Sequence, residues 1–248
     1  MITALEFYKN NKNYVWTIAP IPSHLESTIE KANWILNDAK LGWIELDISI
    51  DVSTWQNEAQ QASPHFVAHR EDNNTGWNSC CIHGIDIDKT GAWTNYGYTN
   101  EQDVPYNWTA LSQTTPAIKS FWQTEFPAEK YRRIRFMELE PESAITPHSD
   151  MPGRLPGEAG VNMLDFGVPV NIAVMHPEDC HMVVEGYGVV PFKPGKAFII
   201  NIRNYHSVIN FSKYPRVHVI GHPYSYGKNK EAFAELVVRS YEKMSGEQ

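Results

Sequence analysis

The sequence predicts a mainly β chain of the α+β class, with an antiparallel double sheet or barrel as core and helices flanking it. Two observations carry that expectation. Short Val/Ile-rich runs follow one another at residues 168–175, 182–184, 197–202 and 217–220. Turn signals divide them: Pro177-Glu178-Asp179, Glu185-Gly186, Pro194-Gly195 and residues 212–215. Such runs, each closed by residues that favour tight turns, suit strands that return beside one another.

The chain of 248 residues fits one sizeable domain over 1–248, with support elements and loops in 1–130, the β core in 131–224 and a last helix in 228–244. A formal net charge of −8 argues against nucleic acid, which asks for a clustered basic face, and against an anionic membrane surface. No run approaches a transmembrane span, and the N-terminus lacks a basic-then-apolar leader pattern. Three cysteines, of which Cys80 and Cys81 are adjacent, make no disulfide framework, so a reducing, cytoplasmic setting is expected.

Taken in order, residues 1–20 read as one or two lead-in strands carrying Tyr14, Val15, Trp16 and Ile18. Pro22, Ser23 and Glu26 spell a capping box that opens a helix with Leu25, Ile29, Ala32 and Leu36 on one face, ending before Gly42. Residues 43–52 alternate as a strand through Ile44, Leu46, Ile48 and Ile50, and residues 57–74, with His65, His69 and Arg70, read as irregular. Residues 77–87 read as extended, and His83 there suits a satisfied core histidine or one facing a pocket. The aromatic, amide-rich stretch 92–106 has no periodicity and reads as a long loop. Such loops serve as lids or as anchored surface, and 72–76 is a second lid candidate. Thr115-Pro116 opens a short helix with Ile118, Phe121 and Trp122 inward. The last helix carries an apolar stripe of Phe233, Leu236, Val237, Ser240, Tyr241 and Met244.

The chemistry concentrates in Thr146-Pro147-His148-Ser149-Asp150 and two downstream answers, His206 and Arg216. His148 and Asp150 are two residues apart, so on an extended segment they share a face. Two imidazoles and one carboxylate on one face of a metal, with the other positions open, suit non-haem Fe(II) and O2. Arg216, ten residues after His206, offers a rigid charged fork for a carboxylate. His218 shares its face. The plainer alternatives are a turn Asp beside a surface His, and an Arg paired with an acid at the sheet rim.

At this point residues 133–222 resemble the Fe(II)- and 2-oxoglutarate-dependent oxygenases, in the aspartyl/asparaginyl β-hydroxylase-like branch that includes bacterial free-proline hydroxylases. The resemblance is carried by Phe136-Met137-Glu138-Leu139-Glu140-Pro141, Pro147-His148-Ser149-Asp150 and Pro169-Val170-Asn171-Ile172-Ala173-Val174. Pro177-Glu178-Asp179-Cys180, Pro194-Gly195-Lys196, His206-Ser207-Val208-Ile209-Asn210 and Arg216-Val217-His218-Val219 continue it. It implies a double-stranded β-helix (jelly roll, cupin-like) core, with Fe(II) on His148, Asp150 and His206 and 2-oxoglutarate on Arg216. His218 joins that pocket, and His181 falls where relatives place a second carboxylate-binding side chain. Arg135, Asn171 and Asn204 are the substrate-contact candidates. The implied reaction uses O2, releases succinate and CO2, and hydroxylates an amino acid or an amino-acid residue of a peptide or protein.

Two departures bear on this. Some aspartyl β-hydroxylases lack the metal carboxylate, so Asp150 brings the chain closer to the proline hydroxylases and argues for hydroxylation or desaturation over halogenation. Asn171 stands where relatives often carry a basic residue. The alternatives are a cupin-type metalloenzyme without 2-oxoglutarate, for which Arg216 would have no use, and a non-catalytic binding module.

Overall fold

Side-chain alternation decides the architecture. In the computed structural model, which describes residues 2–69, 76–150, 164 and 167–246, the strands form two antiparallel sheets. The larger runs in the order β1 (Trp43–Leu46), β10 (Ala197–Ile200), β7 (Val170–Met175), β12 (Arg216–Ser225), β5 (Lys130–Leu139), β3 (Trp77–Gly84) and β2 (Val67–Ala68), and β4 (Asn107–Trp108) also pairs with β3. The smaller runs β6 (Ala144–His148), β11 (His206–Asn210), β8 (Cys180–Val184) and β9 (Gly188–Val189). The expected mainly β, α+β jelly-roll arrangement is present as two facing sheets that do not close into a barrel.

Each central strand of the larger sheet faces two ways. Val170, Ile172 and Val174 of β7, Val217 and Val219 of β12, and Ile134 and Phe136 of β5 enter a core under the helices. Leu139, Ala173, Phe198 and Ile200 face the other way and meet Ile145, Met182, Val184 and Val208 of the smaller sheet. Burying each such aliphatic side chain contributes roughly 1.5–3 kcal/mol, and a one-residue slip would exchange the two faces. Gly221 lets β12 pass Trp122, because a Cβ there would lie 2.3 Å from the indole ring.

The helices depart from the sequence expectation in three places. Residues 4–11 form α1 (Ala4–Asn11) instead of a strand, because Thr3 and Glu6 make a reciprocal capping box. This helix buries Ala4 and Phe7 and stacks Tyr8 on His181. The second helix, α2 (Thr28–Asn37), starts one turn late, at the capping box Ser27–Glu30. Residues 47–50 leave the sheet, and Asp51 caps a helix, α3 (Val52–Ala62), that covers part of the stretch expected to be irregular. Its Trp55, Ala59 and Ala62 pack into the core.

The short helix α4 (Pro116–Ser120) is present, but Thr115 does not cap it. Its hydroxyl donates back to Leu111 O at 3.1 Å. The cap comes instead from Glu58 of α3, whose carboxylate accepts from the N–H groups of Ala117 (2.7 Å) and Ile118 (3.0 Å). The last helix, α5 (Lys230–Gly246), buries Phe233, Leu236, Val237, Ser240 and Tyr241, as its stripe requires.

Residues 92–106 form 3₁₀ turns and no strand. Residues 72–75 of the second lid candidate lie outside the described residues. The turn from β11 to β12 is clasped by fully buried Asn210. Its Nδ2 donates to the carbonyls of Leu139, Glu140 and Tyr214, and its Oδ1 accepts from Ser212 N and Oγ. Among the described residues no helix is long and apolar enough to cross a membrane.

Candidate active site

The strand ends bring the H-x-D segment and His206 together. His148 closes β6, His206 opens β11, and the two are direct register partners. A shift in pairing between His206 and Val208 marks a bulge just inside that contact, a device that re-aims side chains beside sites. Asp150 follows the strand, its N–H donating to Ile202 O at 3.1 Å. One Asp150 oxygen then lies 3.5 Å from His148 Nε2 and the other 3.6 Å from His206 Nε2. The three ligand-type atoms all fall within 4.8 Å of one another.

Both imidazoles are held the same way. His148 Nδ1 donates to Thr146 O at 2.7 Å, and His206 Nδ1 donates to Asn204 O at 3.0 Å. With the proton on Nδ1, each Nε2 keeps its lone pair for the common focus. Backbone carbonyls commonly fix metal-ligating histidines in this way.

Arg216 and His218 lie behind this cluster on the inward face of β12. Arg216 is 2% exposed, and its Nη2 donates to His218 Nδ1 at 2.9 Å. Since Arg only donates, that ring nitrogen accepts, and the Asn171 amide 2.7 Å away meets it with its NH2 end, amide O and N positions being interchangeable. His218 Nε2 then donates to His176 Nδ1 at 2.9 Å. Burial and the nearby Arg216 charge push both histidines down, His176 to about 3, so both are neutral. Burial draws Arg216 itself down to about 10, which leaves it charged at neutral pH. Its guanidinium lies over Phe192, and its Nε has no partner. Among the described residues no carboxylate pairs with it. A buried guanidinium without an anion is costly, so this pocket asks for one.

A cavity of about 560 Å³ joins these parts. His148, Asp150, His206, Arg216, Asn171 and Arg135 all line it, together with Met137, Met182 and Val208. Gly91, Ala92 and Asn95 bring the 92–106 loop to its wall. Three expected residues do not line it, and the first, His218, is fully buried behind Arg216. His181 points to the outer face of β8, stacked 5.1 Å from Tyr8, because Met182 takes the inward position. Asn204 contributes its carbonyl to His206, while its side chain lines a separate groove with Tyr187. His83 sits apart, edge-on to Trp108, and burial lowers it to about 4. Sequence reasoning missed Arg133, His69 and the part played by His222. The period of two that groups Arg133 with Arg135, and His222 with Ile220 and His218, was the signal available.

Residues 47–222 match the family described as aspartyl/asparaginyl beta-hydroxylase. The chain belongs to that family. The hydroxylase uses Fe(II), 2-oxoglutarate and O2, and the His148, Asp150 and His206 donors fit Fe(II). No curated protein matches its sequence. It is similar to a solved oxidoreductase of the 2OG-Fe(II) oxygenase family from Burkholderia pseudomallei, at 12% identity and a TM-score of 0.49, covering 86% of this chain and 96% of that one. A prolyl-4-hydroxylase from Pseudomonas putida is similar at 16% identity and a TM-score of 0.41, covering 79% and 99%. A Trichoplax adhaerens prolyl hydroxylase, solved with a hypoxia inducible factor peptide fragment, is similar at 12% and 0.44, covering 83% and 93%.

Proposed function

We propose that this hydroxylase acts on an amino acid, free or within a peptide, with His148, Asp150 and His206 holding the metal and Arg216 holding the distal carboxylate of 2-oxoglutarate. The bound Fe(II), 2-oxoglutarate and O2 supply the oxidising power that places one oxygen in a substrate C–H bond while succinate and CO2 leave. The rest falls to the chain. Thr146 O and Asn204 O fix the ligand tautomers, and His218 and Asn171 hold Arg216 in place. Met137, Met182, Ile145 and Val208 keep the cavity wall apolar, which strengthens the charge pairing inside it. The loop from Gly91 onward covers one side as a lid.

The single observation that carries this reading is buried Arg216, with no carboxylate partner among the described residues, in the cavity of a His/Asp/His cluster. A metalloenzyme without 2-oxoglutarate would leave that guanidinium unanswered. The test is succinate release with Fe(II), ascorbate, air and a panel of free and peptidyl amino acids. Substrate conversion that needs no 2-oxoglutarate would replace this proposal with the cupin-type alternative.

A further inference from the structure

We infer that Arg203 is a positioning residue for the metal centre, fixing from outside the cavity the turn at residues 201–204 whose carbonyls hold the ligand segment. This rests on the hydroxylase reading of the His148, Asp150 and His206 cluster, and adds to it a residue that lines only the separate groove.

The turn has two sides. Towards the cavity, three successive carbonyls meet the metal-ligand residues and their neighbour. Ile202 O accepts from Asp150 N at 3.1 Å, Arg203 O from Ser149 Oγ at 2.9 Å, and Asn204 O from His206 Nδ1 at 3.0 Å. Ser149 is the residue between His148 and Asp150. One turn, closed by Asn204 N on Asn201 O at 3.1 Å, therefore touches the H-x-D segment twice and His206 once. Ligands have to converge within about 0.5 Å of their working geometry, so whatever holds this turn bears on how well the cluster takes a metal.

Towards the groove, the same turn is fastened to the end of α2 and the connection to β1. Asn201 N donates to Gly42 O at 2.9 Å and Asn201 Nδ2 to Leu41 O at 3.0 Å. Arg203 adds the bond to the helix itself. Its Nη2 donates to Leu36 O at 3.2 Å, and its Nε donates to Asn201 Oδ1 at 3.3 Å. Leu36 lies in the last turn of α2, where carbonyls lack a helical donor, and the N–H groups of Asp38 and Ala39 both go to Trp34 O. A cation at that end of a helix is also favoured by the helix dipole. Arg203 thus faces two ways. Its guanidinium spans from the helix end to the first residue of the turn, while its own carbonyl carries Ser149. A planar fork makes both of those bonds at fixed angles; an ammonium in its place keeps one.

The test reads metal binding on the metal-free protein, without oxygen or 2-oxoglutarate. Fe(II) is titrated for affinity, and Co(II) for affinity and for the absorption bands that report ligand geometry. Arg203→Ala should weaken both metals by about tenfold to a hundredfold and shift the Co(II) bands, the usual effect of removing a group that orients ligands. Arg203→Lys should fall between it and wild type. Ser149→Ala should weaken binding as well. The double variant should lose less than the product of the two single losses, because the Ser149 bond is one route through which Arg203 acts. Glu58→Ala, which weakens the fold without touching the turn, should keep metal affinity within about twofold.

Wild-type affinity and Co(II) bands in Arg203→Ala would overturn the inference. A loss that Glu58→Ala reproduces would do the same, as would single losses that multiply in full. Arg203→Met keeps the apolar stem and loses both bonds, so it serves if Arg203→Ala does not fold. A wild-type protein that takes up neither Fe(II) nor Co(II) sinks the hydroxylase reading and this inference with it. Normal uptake by wild type and by the Arg203 variants alike sinks this inference alone.

Discussion

His148 and His206 are direct partners in the β6–β11 pairing, with ring centroids 4.4 Å apart. Backbone pairing, not loop placement, therefore sets the spacing of the two imidazoles. Asp150→Ala and His206→Ala should each reduce bound Fe(II) from one per chain to near zero and abolish succinate formation. Asp150 is 39% exposed at its side chain, so its variant should melt within a few degrees of wild type. Metal analysis and thermal denaturation on the same samples check both statements. Full iron occupancy in either variant would remove that residue from the ligand set.

Arg216→Ala should raise the 2-oxoglutarate requirement at least about a hundredfold, since breaking a buried charge pair costs roughly 3–5 kcal/mol. Arg216→Lys should fall between, keeping the charge and losing the fork. Iron binding should hold in both. Unchanged 2-oxoglutarate affinity in Arg216→Ala would show that the anchor lies elsewhere.

The 92–106 loop should lose amide exchange when substrate and 2-oxoglutarate bind together, because Ala92 and Asn95 sit on the cavity wall. Exchange that is slow beforehand and unaltered by both ligands counts against a closing role.

Glu58 caps α4 from a neighbouring helix while 5% exposed, so Glu58→Ala leaves the Ala117 and Ile118 N–H groups without acceptors. A loss of about 2–4 kcal/mol is expected, and Glu58→Gln, with one acceptor oxygen, should lose less. Urea midpoints measure it. Equal stability in all three proteins would mean that water satisfies those groups.

Buried His83 takes its proton at about 4 in the folded chain and near 6.5 when unfolded. Between those values the unfolded state holds more protons, so stability is full above about pH 6.5 and falls as pH drops toward 4. The His83 share of that loss is on the order of 3 kcal/mol at most. Denaturant midpoints at pH 7 and 5 for wild type and His83→Gln isolate it. An identical pH slope in the two proteins would assign the loss to other groups.

The parts of this molecule that were legible in the sequence are those a period of two encodes. His148 and Asp150, and Arg216 with His218, announce a shared face by spacing alone. What spacing cannot say is which face. His181 and Asn204 are polar residues in apolar stretches; Met182 takes the inward position beside His181, and Asn204 turns with Arg203 to a separate groove. Caps were ambiguous for a different reason. Ser23–Glu26 and Ser27–Glu30 both spell the capping box, and only the burial of Ala32, Ile35 and Leu36 decides between them. The long-range cap from Glu58 to α4 has no local signature at all.

The Asn210 clasp has a consequence for how such an enzyme diverges. Five hydrogen bonds from one buried amide hold the turn that joins the His206 strand to the Arg216 strand. On the proposed reading, the span from metal ligand to acid anchor is thus set by a turn and not by a pocket wall. That turn would then hold the span constant for the five-carbon diacid proposed to fill it. New substrates would then have to be accommodated at the opposite end, where Arg133, Arg135 and the loop are tied together by backbone carbonyls alone.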